Sequence, residues 1–205
     1  GGHTATVDVT TPLGTFAVDT GFIVYNDRTY PRFMGLLSEL GIRGQKTQMS
    51  FSVQNPKSGL EYNGHTLTSL FAQRRNLLNP SFWKLLKDIV RFNRLAKAAF
   101  SGKVSPDATL QTFLEQHRFN EFFARHYILP MGAAIWSSSL QEMRRFPLPL
   151  FLGFFENHGL LDITRRPQWY VVPGGSREYI RAMLAQLGDR LDLRLNAPVQ
   201  QVIRH

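Results

Sequence analysis

The chain has 205 residues, 24 Lys and Arg against 15 Asp and Glu, a formal net charge of +9 and no cysteine. Its composition, 43% hydrophobic and 19% charged, excludes global disorder and is ample for a packed core. The lack of cysteine excludes disulfides, cysteine-ligated zinc, iron–sulfur clusters and a thiol nucleophile. The first residue is Gly1 and not Met, so we expect an internal piece of a longer protein.

The sequence carries no targeting signal. No stretch reaches about 18 uninterrupted apolar residues, so no transmembrane helix is expected. No basic segment followed by an apolar one stands at the N-terminus, so no signal peptide is expected. We expect a cytoplasmic protein, with peripheral contact on the inner face of the membrane left open. The basic residues are scattered, so no nucleic-acid binding is expected.

The first third of the chain is predicted to be rich in strands. Residues 4–9 alternate polar and apolar side chains, and residues 15–25 are again strand-like, so the two form a predicted hairpin. Pro31 suits the first turn of a helix, which Gly41 ends. A further strand pair is predicted within residues 49–62.

The predicted secondary structure changes from strands to helices in the middle of the chain. Between about residues 69 and 155 no convincing strand occurs. Helices are predicted from Asn79 to Phe100, over residues 109–123 with a break near Arg118, and from Pro130 onward. This helical middle indicates an insertion into an α/β framework, and the predicted fold class is α+β.

Strand character returns near the C-terminus. Residues 168–172 read as a strand, which a tight Pro-Gly-Gly turn connects to an amphipathic helix at residues 177–187. Two closing strands are predicted, at residues 191–195 and 199–203. The order is therefore β-rich, then α-rich, then β-α-β.

One polar triplet has the spacing of a helix face. His117, Glu121 and Arg125 stand at i, i+4 and i+8, which fits either a proton relay or partial metal site, or a solvated face with a supporting ion pair. We favour the ion pair and expect no metal site.

A second helix combines charge with an apolar face. Lys84, Lys87, Arg91 and Arg94 share one side of the helix that contains residues 82–100, and the opposite side is apolar. Such a helix either lies on an anionic membrane surface, apolar side down, or buries its apolar side in a domain core.

Four segments resemble flavin-containing amine oxidases, protoporphyrinogen oxidases and phytoene desaturases. Residues 1–7, Gly-Gly-His-Thr-Ala-Thr-Val, resemble the Gly-Gly-Arg/His-x-x-Thr segment after the ribose-binding Glu. Residues 18–23 resemble the Asp-x-Gly-x-Ile stretch beside the flavin ring. Residues 169–176 resemble the turn before the helix that returns to the flavin domain, and residues 195–202 the strand whose first Val meets the adenine. The likeness is closest to bacterial predicted NAD/FAD-binding, amine-oxidase-like proteins.

The resemblance implies an FAD-dependent oxidoreductase that oxidises a C–H or C–N bond by hydride transfer to flavin. No catalytic acid or base follows from it. Trp169 and Tyr170 are implied to face the substrate. The implied cofactor neighbours are Gly1, Gly2, His3, Thr20, Gly21 and Phe22 beside the isoalloxazine and Val199 near the adenine.

The same resemblance implies a division of the chain. Residues 1–25 would be a hairpin of the FAD-binding domain, residues 26–172 a substrate-binding domain, mainly helical after residue 69, and residues 173–205 the return to the FAD-binding domain. No Gly-x-Gly occurs, so the dinucleotide-binding turn and phosphate anchor are not contained here. We therefore expect this fragment alone to bind FAD weakly or not at all and to be inactive, and its unpaired strand edges to favour self-association.

The substrate class follows from composition. The chain holds 16 Phe, 6 Tyr and 3 Trp, enough to line an apolar tunnel as well as a core. With the basic helix, this favours an apolar small-molecule substrate over a small amine. The alternative is a non-enzymatic basic helical module that binds a membrane surface or an acidic partner through Lys84, Lys87, Arg91 and Arg94.

Overall fold

The computed structural model describes residues 2–64, 66–102, 104–162 and 166–204, and its mixed α+β composition confirms the predicted class. The strands are, in chain order, β1 (Thr6–Thr11), β2 (Gly14–Asp19), β3 (Tyr25–Asn26), β4 (Gln45–Thr47), β5 (Ser52–Asn55), β6 (Leu60–Asn63) and β7 (Trp169–Val171). The α-helices are α1 (Pro31–Glu39), α2 (Leu67–Leu70), α3 (Pro80–Ser101), α4 (Leu110–Gln116), α5 (Glu121–Phe123), α6 (Leu129–Trp136), α7 (Leu140–Arg144), α8 (Leu148–Asn157) and α9 (Arg177–Leu187).

The chain forms two compact units. The first unit joins Gly1–Thr47 to Trp169–His205, and the second is the continuous segment Gln48–Gln168. Residues 26–47 and 169–172 thus group with the flanking strands, not with the helical middle to which the predicted boundaries assign them. The assignment of either unit to flavin or substrate binding stays a prediction.

The first unit contains two small sheets and two longer helices. β1 and β2 form the predicted antiparallel hairpin, with Val7 opposite Val18. The other sheet has the order β3-β7-β4, and both outer strands are antiparallel to β7. Tyr25, Leu37 and Val172 are buried between this sheet and the helices α1 and α9. The predicted strand at residues 15–25 is shorter than expected, because β2 ends at Asp19.

The second unit has the larger core. The β5-β6 hairpin turns Val53, Leu60 and Tyr62 inward, in the alternation expected of a strand pair with one buried face. These side chains join the buried aromatic and aliphatic residues of α3 to α8 in one continuous cluster. Helix α3 begins as predicted, with Pro80 in its first turn and the Asn79 side chain accepting from the amide of Ser81 at 3.0 Å.

A π-helical turn at Ala124–Ile128 precedes α6. Pro130 stands four residues after His126 and has no N–H to donate to the His126 carbonyl. The Leu129 amide instead reaches back five residues to Ala124, and the Tyr62 hydroxyl donates to the His126 carbonyl at 2.6 Å. A wide turn of this kind is the expected response to a proline ring inside a helical run.

The two closing strands predicted at residues 191–195 and 199–203 are wrong. After a 3-10 turn at Gly188–Arg190, residues 191–204 contain no strand. Leu195, Val199 and Val202 are all exposed. Local alternation favours extended backbone, but a strand needs a neighbour to satisfy its amides and carbonyls, and no described strand pairs with this segment.

Candidate functional site

Three segments that the sequence singles out meet in the first unit. They are residues 2–6, 19–22 and 174–177, and we call their meeting point the glycine junction. The Thr20 amide donates to the Ala5 carbonyl at 2.9 Å, and the Phe22 amide donates to the His3 carbonyl at 2.6 Å. The implied flavin neighbours His3, Thr20, Gly21 and Phe22 are therefore brought together. Gly1 lies outside the described residues.

Asp19 provides the polar centre of the glycine junction. Its Oδ1 accepts from the Thr6 hydroxyl at 2.6 Å and from the Ser176 hydroxyl at 2.8 Å. The buried Ser176 also donates its amide to both carboxylate oxygens, at 2.9 and 3.0 Å. A carboxylate at this position faces the N-terminus of α9, where the helix dipole stabilises negative charge. The arrangement fastens the hairpin to α9.

The glycines of the junction are needed for close backbone contact. A Cβ at Gly21 would lie 2.2 Å from the His3 carbonyl oxygen. Gly175 has φ +90°, and a Cβ there would lie 2.4 Å from the Thr6 Cγ2. Gly2, with φ +61°, has open space in the same direction. Gly21 and Gly175 therefore serve internal packing, whereas the space beside Gly2 is open.

The outer side of the glycine junction is open to solvent. Gly2, His3, Thr20 and Gly21 are all exposed. The Phe22 ring turns inward and packs edge-on against Phe33 at 5.2 Å. Flavin binding at this face stays a prediction, and the chain contains no Gly-x-Gly turn to cradle a dinucleotide diphosphate.

Trp169 and Tyr170 lie on the central strand of the β3-β7-β4 sheet. Trp169 is buried and pairs in register with Asn26 on one side and Thr47 on the other. The ring of the half-buried Tyr170 stacks on Tyr25 at 5.6 Å. Tyr25 in turn meets Phe33 at 5.1 Å, so Tyr170 belongs to the aromatic cluster that receives Phe22. Both residues contribute to packing, and a role toward substrate stays a prediction.

Val199 stands apart from the other predicted cofactor residues. It lies in the segment after α9 and is 79% exposed. The structure does not bring it into the glycine junction, so its predicted place beside an adenine rests on the resemblance alone.

The triplet His117, Glu121 and Arg125 does not share one helix face. α4 ends at Gln116 and Arg118 has φ 51°, so His117 does not continue the face that carries Glu121. Glu121 Oε1 accepts from Arg125 Nε at 2.5 Å and also pairs with Arg144. Partial burial raises the pKa of Glu121, but the two guanidiniums outweigh it and hold the pKa below its ordinary value. These contacts support the ion-pair interpretation.

The sequence left two placements open for the apolar face of the basic helix α3, a membrane surface or a domain core. Phe82 and Phe92 on its apolar face are fully buried in the core of the second unit, so this face does not lie on a membrane. Arg91 is also engaged, because it donates to Asp88 at 3.1 Å and to the His117 carbonyl at 3.0 Å. Lys84, Lys87 and Arg94 remain exposed, without an ion-pair partner in the described part of the chain.

One feature of the second unit has no counterpart in the predicted site residues. The outward side chains of β5 and β6 line an open polar groove of about 700 Å³. In it the Asn63 side chain donates to the Ser52 hydroxyl at 2.8 Å, and the Gln54 amide donates to Glu61 at 2.9 Å. Period-two alternation in this hairpin was the only sequence signal for the groove.

A scan of protein-family models finds none that matches the chain, and a search of curated proteins finds no match either. Among the described residues no helix is long and apolar enough to cross a membrane, and no group of three or more His, Cys, Asp or Glu side chains is placed to hold a metal ion.

Proposed function

We propose that this chain is the part of an FAD-dependent oxidoreductase of the amine-oxidase type that carries the substrate domain. The second unit would shape the site for an apolar substrate, and the first unit would contribute to the flavin-binding framework. FAD, when bound, supplies the ring that accepts a hydride from a substrate C–H or C–N bond.

The observation that carries the proposal is the way the chain divides. All four segments of the resemblance, residues 1–7, 18–23, 169–176 and 195–202, belong to the first unit, although they come from both ends of the chain. The helical middle is a separate unit inserted between them. A substrate domain inserted into a cofactor-binding framework has this organisation.

The roles of individual residues follow from the glycine junction. Gly2, His3, Thr20 and Gly21 would lie against the flavin ring through exposed backbone. Phe22 would fix this backbone by packing its ring inward, as its contact with Phe33 supports. No described residue has a geometry that assigns it as acid or base, so we assign no proton transfer. The diphosphate and adenine would be held mainly by residues outside this sequence.

The proposal is tested on the polypeptide expressed from the uninterrupted coding sequence that contains this chain. We expect it to copurify with flavin, or to bind added FAD stoichiometrically, with visible flavin absorbance bands. His3→Ala should shift those bands, because His3 would border the ring. Lys57→Ala, an exposed cation in the other unit, should leave them unchanged.

Two results would contradict the proposal. One is a folded polypeptide without flavin bands that takes up no FAD on titration. The other is a flavin whose spectrum responds equally to the His3 and Lys57 substitutions, since that would separate the cofactor from the glycine junction.

A further inference from the structure

Exposed apolar side chains collect where α2 leads into α3. Leu78 is 89% exposed, and Leu77 and Trp83 are each about half exposed. We call these three residues the leucine–tryptophan tip. They differ from the predicted membrane contact, which relied on the buried face of α3.

Local contacts hold the tip together. The Trp83 indole N–H donates to the Leu77 carbonyl at 2.9 Å, which satisfies the ring nitrogen and links α3 to the preceding 3-10 turn at Arg74–Leu78. The Phe71 ring lies 5.4 Å from the Trp83 ring and brings the end of α2 to the same place. The exposed side chains are therefore presented by a fixed backbone.

The charge around the tip has one sign. From Tyr62 to Lys87 the sequence has no Asp or Glu, but it has Arg74, Arg75, Lys84 and Lys87. All four cations are exposed. The nearest acidic groups flanking this stretch are both engaged, because Glu61 accepts from Gln54 and Asp88 pairs with Arg91.

We propose that the leucine–tryptophan tip binds the surface of an anionic lipid bilayer. Leucine and tryptophan side chains partition into the boundary between headgroups and acyl chains, and the flanking lysines and arginines attract anionic headgroups. A nucleic acid would match the charge but offers no apolar phase for two leucines and a tryptophan. In a dimer formed through the tip, the four cations of one copy would face the same four cations of the other copy.

The test is co-sedimentation of the chain with phosphatidylcholine vesicles, with and without phosphatidylglycerol, at low and moderate salt. We expect binding to the anionic vesicles, weaker binding as salt rises, and little binding to the neutral ones. Lys84→Glu with Lys87→Glu should weaken binding by about 25-fold or more, since each cation near an anionic surface contributes about fivefold. Leu78→Glu should weaken it to a similar extent.

Matched controls keep the test specific. Leu13 is 90% exposed in the first unit, and Leu13→Glu places the same charge at an equally exposed leucine. Arg32→Glu with Arg43→Glu changes the net charge as much as the double lysine variant does. Both controls should bind within about twofold of wild type. Circular dichroism confirms that each variant is folded, and Leu78→Ser replaces Leu78→Glu if the charge prevents folding.

A spectroscopic readout places the contact at the tip. Brominated lipids in the anionic vesicles should quench part of the tryptophan fluorescence of wild type, and Trp83→Phe should remove that quenching. No binding to anionic vesicles at low salt, or tip variants that bind like their controls, overturns the proposal. So does an oligonucleotide, an acidic polypeptide or a second copy of the chain that binds through the tip when vesicles do not. These outcomes involve no flavin, so they are independent of the proposed function.

Discussion

A single proline, Pro130, determines the local geometry around the His126 carbonyl. Pro130 removes its helical donor, and the Tyr62 hydroxyl replaces that donor from a strand. The His126 ring is also engaged, since Nδ1 lies 2.9 Å from the Phe122 carbonyl and Nε2 lies 3.2 Å from the Asn55 side-chain amide. The π-helical turn is thus tied to the β5-β6 hairpin by polar contacts at its centre.

Tyr62→Phe is expected to destabilise the second unit by about 1–3 kcal/mol, because it leaves the His126 carbonyl buried without a donor. Burial raises the pKa of Tyr62, so the hydroxyl keeps its proton at neutral pH. Tyr127→Phe is the matched control: burial raises the pKa of Tyr127 to about 12, and its hydroxyl makes no hydrogen bond within the described residues. Urea unfolding measures both, and equal losses of stability would contradict the assigned role.

The pair Asp8–Arg177 gives the first unit a pH-dependent contact. Hydrogen bonding to the Arg177 guanidinium, 2.8 Å from Asp8 Oδ2, lowers the pKa of Asp8. Its stabilisation is therefore complete above the unfolded-state pKa of about 3.9 and is lost as the pH falls through the lower folded-state pKa. Asp8→Asn should lower the unfolding midpoint at neutral pH, and its difference from wild type should vanish in acid. Asp189→Asn, at an exposed aspartate of the same unit, should show no such trend.

At the scale of elements, the glycine junction depends on backbone approach more than on side-chain contact. The carboxylate of Asp19 bridges residues 157 positions apart when it accepts from Ser176. Its strength comes from a carboxylate that accepts several donors in a half-buried place. A substitution that weakens the contacts of any of the three segments is therefore expected to destabilise both the hairpin and α9.

Gly21→Ala is expected to destabilise the first unit by at least about 2 kcal/mol, because the new Cβ would fall 2.2 Å from the His3 carbonyl oxygen. Gly35→Ala is the contrasting variant, since Gly35 lies within α1 and has no atom within 4 Å of an added Cβ. It should stabilise by about 0.5–1 kcal/mol. Thermal unfolding of the two variants compares them, and a neutral Gly21→Ala would show that the close approach is not needed.

Elements with strong local signals were predictable from sequence. Pro31 and Gly41 predicted the bounds of α1, and apolar periodicity predicted α3 and α9. All three helices are confirmed. The short strands β3 and β4 gave no usable alternation, because two or three residues are too few. The strands predicted after residue 190 were wrong for the opposite reason. Their side chains alternate, but no described strand pairs with them.

The same limit applies to the candidate site. The resemblance implies that Gly2, His3, Thr20 and Gly21 are neighbours. In the structure the backbone of His3 lies close to the backbone of Thr20 and Gly21. Asp19 and Ser176 could not be predicted as partners, because no periodicity relates side chains so far apart in sequence. Long-range polar contacts of this kind arise only from the assembled fold.

At the scale of the whole molecule, the two units differ in self-sufficiency. The buried cluster of the second unit draws every member from residues 53–161, whereas the buried cluster of the first unit has three members, from two distant stretches. We expect residues 48–168 expressed alone to fold, with a helical circular dichroism spectrum and cooperative thermal unfolding. Residues 1–47 joined to 169–205 by a short linker are the comparison and should be less stable. A non-cooperative transition for residues 48–168 would contradict this expectation.

The position of β7 also determines the order of events during synthesis. Among the described strands, β3 and β4 pair with β7 and not with each other, so their sheet cannot form until residue 171 has left the ribosome. At bacterial or eukaryotic elongation rates, the intervening second unit takes roughly ten seconds to emerge. During that interval Phe22, Tyr25 and Phe33 have no sheet to cover them. We therefore expect the aromatic N-terminal segment of the nascent chain to be accessible to holding chaperones while the segment behind it folds.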